Sequence, residues 1–388
     1  MSRMWNANHA NAKPFALFVG IRAIRDSRES ILEKFAFVIH PLSAKKDIAR
    51  KYPFVKFLPE SAVEWGMKHK SPMEVSHITG VRSATGAEAE GWLVGCPLSP
   101  KLIMSLPVEQ VYEKIIGAIR IAEERGAKVV GLGALTSVVG DQGITVAKNV
   151  NIAVTTGNSY TIATAVEGAL KGAELMGIEP GHAQVAIVGA TGSIGKTCAQ
   201  LLEKKCSAVK LIGRSVDRLE ELAAELSKDA KADVTLTTDV ATGIRDADIV
   251  VTVSSAVDAI IEPGFIKPGA VVCDVARPRD VSESVRRERD DVLIIEGGVI
   301  EVPGDVDFNF NFGFPPKTAY ACMSETMILA LEGRYESYTL GRDVSVEQVE
   351  EITRLAAKHG FKLAGFRSFE KAVTDEQIAQ IRKNAGRG

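Results

Sequence analysis

The strongest constraint on the fold is a glycine-rich turn between an apolar strand and a helix, followed by a repeat of the same two elements. Residues 185–195 read VAIVGATGSIG, and VKLIGRS and VDRLEELAAEL then repeat the strand and the helix. Further apolar runs of strand length follow in VTLTTD, ADIVVTVSS, AVVCDVA and DVLIIEGG. Strands that alternate with helices favour a parallel sheet covered on both faces. We therefore predict an α/β fold built on a doubly wound, parallel, Rossmann-type sheet.

The residues before this repeat predict a second α/β unit, an N-terminal substrate domain. FALFVGI (15–21), FAFVIH (35–40) and KVVGLGALTSVVG (128–140) have the composition of strands. Helical periodicity marks LPVEQVYEKIIGAIRIAEERG, which ends at Gly126, and SYTIATAVEGALKGAELMG, which ends at Gly177. ITVAKNVNIAVTTGN is expected to form a strand, a turn and a second strand.

The turn-rich segment IEPGHA (178–183) separates the two units. We predict an N-terminal domain at 1–180, a nucleotide-binding Rossmann domain at 181–312 and a helical C-terminal segment at 313–388 that packs back on the N-terminal domain. In the C-terminal segment, KTAYACMSETMILALEG (317–333) is expected to form one amphipathic helix, started by Pro315 and Pro316. SVEQVEEITRLAAKHGF is the last clear helix, with capping-box spacing between Ser345 and Gln348.

Composition narrows the class of protein. The 388 residues are 46% hydrophobic and 25% charged, and the net charge of −2 argues against a nucleic-acid partner. The five cysteines are scattered, without a CxxC pair or zinc spacing, which is typical of free thiols in a cytoplasmic protein without a metal site. No apolar run approaches the roughly 18 residues of a membrane-spanning helix, so we expect no integral membrane segment.

The glycine turn predicts a nucleotide site. Gly189 permits the tight turn, Gly192 lets the backbone approach a pyrophosphate, and Gly195 lets the helix pack close to the strand. Thr191, Ser193 and Ile194 lie between these glycines and belong to the same predicted site. A turn selected only for packing is the alternative interpretation.

The end of the second strand indicates which nucleotide binds. A site for NAD has an acidic residue there, for the ribose 2′-hydroxyl, whereas this chain has Arg214 and Ser215. A guanidinium favours a 2′-phosphate, so we predict NADPH as the cofactor, although a solvated surface arginine would have the same sequence. Ser254, at the end of ADIVVTVSS, completes the predicted cofactor-binding residues.

Cys322 is the candidate nucleophile. It lies early in its predicted helix, where the helix dipole favours a thiolate, and Lys317 could add positive charge. Glu325, three residues on, shares a helix face with Cys322 and is predicted to assist it. The alternatives are a cysteine that only packs in the core and a solvated glutamate.

Four stretches carry a resemblance to a known family. They are GLGALTSVV (131–139), TTGNSYTIA (155–163), VAIVGATGSIG (185–195) and AYACMSETMILALEG (319–333). With these stretches, the chain resembles the long-chain acyl-(acyl carrier protein) reductases, which form fatty aldehydes in cyanobacterial-type lipid metabolism.

The resemblance implies a reaction and partners. Cys322 matches the acyl-accepting cysteine of the ACxxE stretch, and Glu325 is its glutamate. The implied activity is NADPH-dependent reduction of a long-chain acyl thioester to a fatty aldehyde through a thioester intermediate on the catalytic cysteine. The implied substrate is carried by acyl carrier protein or coenzyme A, and an aldehyde-consuming enzyme is a further possible partner.

The tetrahedral stages of this reaction need oxyanion donors, and the thiol needs a base. Thr155, Thr156 and Asn158, with Thr136 and Ser137, are the candidate donors; the alternative is turn and cap chemistry, with Asn158 or Ser159 capping the following helix. His40 is the candidate base, although a structural or surface histidine is the favoured interpretation.

Residues 41–82 contain an excess of Lys and Arg that could steer an acidic carrier protein or simply be solvated. They include Lys45, Lys46, Arg50, Lys51, Lys56, Lys68 and Lys70.

Two other functions compete with the acyl reductase. RDADIVVTVSS and VVCDVARPRDV resemble segments of shikimate dehydrogenases and glutamyl-tRNA reductases, which suggests an NADP-dependent dehydrogenase of a small carbonyl, amino or hydroxy acid without a covalent intermediate. A nucleotide-sensing protein without catalytic activity is the second competitor. The oligomeric state is left open by the sequence.

Overall fold

The structure is a computed structural model that describes residues 32–51, 53–228, 231–256, 258–311 and 313–387. The strand expected at 15–21 lies outside these residues. The strands are, in chain order, β1 Leu32–Ile39, β2 Met73–Arg82, β3 Glu88–Gly95, β4 Val129–Leu132, β5 Ala153–Thr155, β6 Gln184–Val188, β7 Ala208–Ile212, β8 Asp233–Thr237, β9 Ile249–Thr252, β10 Val271–Asp274, β11 Leu293–Glu296, β12 Val299–Glu301, β13 Gly304–Asp307, β14 Thr318–Tyr320, β15 Lys362–Leu363, β16 Arg367–Ser368 and β17 Lys371–Ala372.

Helices connect these strands and cover the sheets. They are α1 Ala44–Lys51, α2 Glu60–His69, α3 Pro100–Ser105, α4 Val108–Glu124, α5 Ile144–Lys148, α6 Asn158–Leu175, α7 Ser193–Leu202, α8 Val216–Leu226, α9 Val240–Ile244, α10 Glu283–Glu288, α11 Ala321–Leu331, α12 Val346–His359 and α13 Asp375–Asn384, with short 3-10 helices at Pro53–Phe57, Ala134–Ser137, Pro180–His182 and Pro263–Phe265.

The second half of the chain forms the predicted doubly wound sheet. Six parallel strands follow the order β11-β10-β9-β6-β7-β8. Successive strands extend to one side of β6 as far as β8 and then to its other side from β9, so the strand order reverses between β6 and β9. The α/β prediction is therefore confirmed. In a sheet of this kind, ligands bind beyond the carboxyl ends of the strands at the reversal point, which here lies beside the glycine turn after β6.

The N-terminal unit contains a mixed sheet of six strands in the order β13-β2-β3-β1-β4-β5. The strands β3, β1, β4 and β5 are parallel to one another, whereas β2 is antiparallel to β3 and β13 is antiparallel to β2. Helix α4 packs against β1 and β3, and α11 also packs against β1 and β4. Because β13 joins this sheet, the chain returns to the first unit before residue 312, the predicted boundary.

Helix α6 connects the two units. It packs against β9, β10 and β11 of the second sheet and also contacts α11 and α12. Its buried face, including Ile162, Ala165 and Ala169, belongs to the hydrophobic core of the second sheet. The helix therefore lies between the two units, although the sequence placed it within the first.

Two predicted elements differ in the structure. ITVAK forms the short helix α5 rather than a strand, because the Asp141 carboxylate accepts hydrogen bonds from both the backbone N–H and the hydroxyl of Thr145. Local capping here overrides the β preference of the branched side chains. Helix α11 begins at Ala321, because Thr318–Tyr320 pairs with β12 as strand β14.

Helix α11 is also not amphipathic. Ten of its eleven residues are buried, and Cys322 is the exception. A helix buried on every side belongs to the protein interior, so α11 lies inside the molecule. Within the described residues, no helix has the length and the apolar composition needed to cross a bilayer.

Candidate active site

One cavity of about 1670 Å³ is lined both by the predicted nucleotide turn and by a group of apolar side chains, which we call the apolar chamber. Cys322 lines the same cavity, together with residues from both sheets. A cavity of this volume exceeds the size typical of a site for one drug-sized ligand. The cavity therefore has room for more than one ligand.

The glycine turn has the geometry that a dinucleotide needs. Gly189 has φ +84°, and a Cβ on Gly195 would lie 2.3 Å from the Gly189 carbonyl oxygen. Helix α7 can therefore begin directly against the turn, with Gly192 as its N-cap residue. The N–H groups of its first turn have no intrahelical acceptor and favour a bound anion. Thr191, Ser193 and Ile194 line the cavity beside Gly189 and Gly192.

Two arginines lie at the outer end of the nucleotide site. Arg214 is exposed and lines the cavity, as a residue that contacts a 2′-phosphate would. Arg218 lines it as well and donates a hydrogen bond to the carbonyl oxygen of Thr191 at 2.7 Å. Ser215 has a different position: its hydroxyl caps α8 and accepts the Arg218 N–H. The sequence reasoning missed Arg218, although it lies one helical turn after Arg214.

Ser254 lines the cavity where β9 ends. Its hydroxyl donates to Asp280 at 2.5 Å, and its backbone N–H donates to the same carboxylate at 3.0 Å. Asp280 is fully buried. The Ser254 loop is therefore held in place against the glycine turn, where a Cβ on Gly189 would lie 3.1 Å from the Ser254 backbone.

Another part of the cavity is apolar. Side chains from β1, β2, β3, the 3-10 helix Pro53–Phe57 and α2 line it, and they are Phe37, Ile39, Val55, Val63, Met67, Met73, Val75 and Leu93. Burying a hydrocarbon chain against such a surface contributes about 0.8 kcal/mol per methylene group. The chamber is therefore suited to a long apolar ligand.

Cys322 lies in the first turn of α11 and is the only one of the five cysteines that is not buried. Burial of its sulfur, and then the Glu325 carboxylate, raise the pKa of the Cys322 thiol to about 12. Burial also raises the pKa of Cys96 and Cys198 to about 12 and that of Cys206 to about 11. Cys96 also lines the cavity but is fully buried, so partial exposure, rather than an unusual pKa, distinguishes Cys322.

Lys317 does not provide the positive charge that the sequence suggested for Cys322. Its ammonium group pairs with Asp305 at 2.7 Å on the exposed surface. Because β14 separates Lys317 from α11, the lysine is not part of the helix that holds Cys322.

Glu325 is fully buried and does not line the cavity. Its carboxylate accepts hydrogen bonds from the hydroxyls of Thr155 (2.5 Å), Ser159 (2.7 Å) and Thr339 (3.2 Å). The Tyr160 N–H, at the start of α6, donates to it at 2.9 Å. Burial raises the pKa of the Glu325 carboxyl, although these donors act to lower it. Glu325 therefore caps α6 from a neighbouring helix and fixes α11, which positions Cys322.

Gly157 explains why the TTGN and ACxxE stretches belong together. It has φ +73°, and a Cβ at this position would lie 2.3 Å from the Cβ of Cys322. Only glycine allows the loop and the helix to approach this closely. Gly131 has the same function on β4, where a Cβ would lie 2.1 Å from the Thr326 hydroxyl.

The structure separates the candidate oxyanion donors. The Thr155 hydroxyl donates to Glu325 and does not line the cavity, whereas Thr156 lines it but donates to the Thr339 carbonyl oxygen. Asn158 lines the cavity, and its amide donates to the Ser193 hydroxyl at 3.3 Å. Helix α6 is capped by Gly157, so neither Asn158 nor Ser159 caps it with a side chain. Asn158 therefore connects the start of α6, which packs against Cys322 through Gly157, to the nucleotide turn.

The segment after β4, which contains Thr136 and Ser137, is held by its own hydrogen bonds. The hydroxyls of Thr136 and Ser137 donate to the carbonyl oxygens of Gly133 and Ala134 at 2.7 Å. His40 lines the cavity, but its Nε2 accepts the Leu135 N–H at 3.2 Å, and its Nδ1 lies 3.1 Å from the Pro41 carbonyl oxygen. Both ring nitrogens are engaged in these contacts, which hold the loop after β4 in place.

Arg277 is a cavity residue that the sequence reasoning missed. It follows β10, its side chain is 14% exposed, and it pairs with Glu296 at 3.7 Å. Its guanidinium lies over the Tyr320 ring, immediately before α11, and its charge partly offsets the rise in the Cys322 pKa. Its position after a parallel strand was the available signal, because ligands bind at that edge of such sheets.

No group of three or more His, Cys, Asp or Glu side chains in the described part of the chain could hold a metal ion. The second sheet and its glycine turn define a dinucleotide-binding unit of the Rossmann class. Consistently, the shikimate/quinate 5-dehydrogenase family model matches residues 174–295.

Three characterised proteins are similar to this chain. Aminotransferase PigE of Serratia sp. (strain ATCC 39006) is 31% identical over 364 residues, which are 90% of this chain and 42% of that protein. The long-chain acyl-[acyl-carrier-protein] reductase of Synechococcus elongatus is 26% identical over 83% of this chain and 95% of the reductase. Glutamyl-tRNA reductase of Trichodesmium erythraeum (strain IMS101) is 29% identical over 44% of this chain and 41% of that enzyme. The chain thus spans less than half of the first relative and nearly all of the second.

Proposed function

We propose that this protein is an NADPH-dependent oxidoreductase that reduces a long-chain acyl thioester to a fatty aldehyde through an acyl-enzyme on Cys322. The observation that carries the proposal is the shared cavity, which Cys322, the glycine turn and the apolar side chains all line. We base the proposed activity on the acyl reductase, because the similarity to this chain covers 95% of that enzyme.

The cofactor is NADPH. The glycine turn and the start of α7 fit the pyrophosphate, and Arg214 and Arg218 fit a 2′-phosphate. When bound, NADPH supplies the hydride that reduces the acyl carbon.

The residues of the chain carry out the remaining chemistry. The Cys322 sulfur attacks the thioester carbonyl carbon, and the carrier thiol leaves with the proton from Cys322, so that one thioester replaces another. The apolar chamber holds the acyl chain, and Asn158 and Arg277, which line the same cavity, are our candidate donors to the carbonyl oxygen. After reduction, the hemithioacetal on Cys322 breaks its C–S bond, which releases the aldehyde and restores the thiol. Acyl carrier protein and coenzyme A are the candidate carriers.

Intact-protein mass tests the proposal. The protein is mixed with a long-chain acyl thioester without NADPH, and we expect the mass to increase by one acyl group, since no reductant discharges the thioester. Adding NADPH should then remove the adduct and release one aldehyde.

The Cys322→Ala variant, treated in the same way, should show no increase in mass. An unmodified wild-type protein that still binds NADPH would contradict the proposal and favour a dehydrogenase of a small carbonyl, amino or hydroxy acid.

The preference for NADPH is tested by Arg214→Ala. Losing one charge-assisted contact to a 2′-phosphate should weaken NADPH binding about 10- to 100-fold, because such hydrogen bonds contribute about 1.5–3 kcal/mol. NADH binding should be nearly unchanged, which titration of both cofactors by calorimetry would show. Arg287→Ala, an exposed arginine of the same unit, is the matched control. Equal losses for both cofactors would contradict the assignment of Arg214.

A further inference from the structure

The 3-10 helix Pro53–Phe57 and helix α2 form a small lobe over the apolar chamber. Val55, Val63 and Met67 line the chamber and form a hydrophobic cluster with Ala44 and Ala49 of α1. The side chains on the other face are exposed, and we refer to this face of residues 53–70 as the outer surface of the lobe.

Large apolar side chains are concentrated on this surface. Phe57 is 89% exposed, Trp65 68% and Phe54 62%, and these are the three most exposed large apolar residues that the structure describes. Burial of such side chains is normally favourable by about 1.5–3 kcal/mol each, so their exposure together needs an explanation. Isolated exposed apolar residues are common, but three bulky aromatic residues within twelve positions are not.

Cations accompany the aromatic residues. Lys56, Lys68 and Lys70 are exposed, and no carboxylate of the described residues pairs with them. Glu64 is buried and paired with Lys101, so Glu60 is the exposed acid of this described segment. The surface therefore combines a positive charge with aromatic side chains.

The mouth of the cavity lies on the same lobe. Leu58, Ala62, Gly66 and Lys70, spaced four residues apart, are exposed and also line the cavity. A Cβ at Gly66 would meet no atom within 4 Å. These residues therefore border an open rim beside Phe57 and Trp65.

We propose that the outer surface of the lobe docks on a lipid bilayer that contains anionic phospholipids. Phe54, Phe57 and Trp65 enter the headgroup region, and the lysines contact the lipid phosphates. If the proposed reduction is correct, on which this last step rests, the docked surface places the cavity mouth at the bilayer and the aldehyde leaves into lipid.

The lysines alone would equally suit an acidic carrier protein. The aromatic residues favour the bilayer, because tryptophan at a membrane interface combines a buried ring with a hydrated polar edge. Phe57 and Trp65 are also direct sequence neighbours of the rim residues Leu58 and Gly66.

The test uses the full chain, without substrate or cofactor, and vesicles of phosphatidylcholine with or without added phosphatidylglycerol. We expect flotation with the anionic vesicles and much weaker flotation with the neutral ones. Phe57→Ser with Trp65→Ser should weaken binding about tenfold or more, because the inserted apolar area is lost. Lys56→Gln with Lys68→Gln should weaken it roughly fivefold for each lysine.

Leu175→Ser with Val216→Ser, two other exposed apolar positions, is the matched control and should bind as the wild type does. Vesicle binding that neither pair of substitutions at the lobe reduces would overturn the proposal. Absence of vesicle binding at low salt, with an acidic acyl carrier protein bound instead, would also overturn it. Because no catalysis is measured, these outcomes are independent of the acyl-enzyme test.

Discussion

Replacing Cys322 by alanine should abolish aldehyde formation from a long-chain acyl thioester while NADPH still binds. The thiol is the group that would form the covalent intermediate, and removing such a nucleophile lowers turnover roughly 10³-fold or more. Cys322 lines the cavity from α11 and is not part of the glycine turn before α7, so the cofactor site should remain intact in the variant. NADPH oxidation with the acyl thioester, and NADPH affinity measured by fluorescence, check the two parts separately.

Cys206→Ala is the matched control for this substitution. Cys206 is buried near the end of α7 and does not line the cavity, so the variant should keep its turnover. A Cys322→Ala variant that retained most of its activity would return Cys322 to a packing role. The small-substrate dehydrogenase would then become the better hypothesis.

Local sequence rules were sufficient for the nucleotide unit. Gly189, Gly192 and Gly195 have distinct tasks within one turn, and the contacts that require Gly192 and Gly195 to be small are to Gly189 and Ala190 of the same strand–turn–helix. The contact of Gly189 with the Ser254 backbone is the long-range exception. The capping box at Ser345 and Gln348 was also predicted, because both partners lie within one helical turn. Interactions of this short range are determined by the order of residues.

The hydrogen bonds that position the helix of Cys322 could not be predicted from the sequence in the same way. Glu325 binds Thr155 and Ser159, which lie 170 and 166 positions away in the chain. Nothing near Glu325 indicates that a carboxylate on a buried helix caps a different helix. The resemblance drew attention to both stretches, but only the folded chain explains their connection.

The sequence also predicted the wrong start for helix α11. Two prolines before an apolar run predicted a helix start at 315–316, yet the pairing of β14 with β12 extends the backbone to Tyr320. The partner strand lies about twenty residues earlier, so its effect on the helix boundary is tertiary. As a result, Cys322 lies closer to the helix N-terminus than its sequence neighbours suggested.

Replacing Glu325 by alanine should destabilise the protein by about 3 kcal/mol or more. Three hydroxyls could turn to other acceptors, but the Tyr160 N–H is fixed in α6 and would be buried without a partner. Loss of the side chain also leaves a void in a fully buried position. Denaturant unfolding would show the loss, and Glu350→Ala, at an exposed position of α12, should cost much less.

Glu325→Gln separates positioning from stability. Its amide keeps an oxygen for the Tyr160 N–H, and the Thr155 and Thr339 hydroxyls can accept hydrogen bonds from its NH₂ group, so we expect it to fold. The negative charge that raises the pKa of Cys322 is then absent. Alkylation of Cys322, followed on its own peptide by mass, should therefore reach a given rate at lower pH than in the wild type.

The direction of this shift distinguishes two roles of the glutamate. In the wild type, a thiol pKa of about 12 means that alkylation keeps rising with pH beyond the range of an ordinary thiol. If Glu325 only braced the helix, the substitution would leave that profile in place. A shift to lower pH, absent from Glu332→Gln, would show that the carboxylate that positions the nucleophile also raises its pKa.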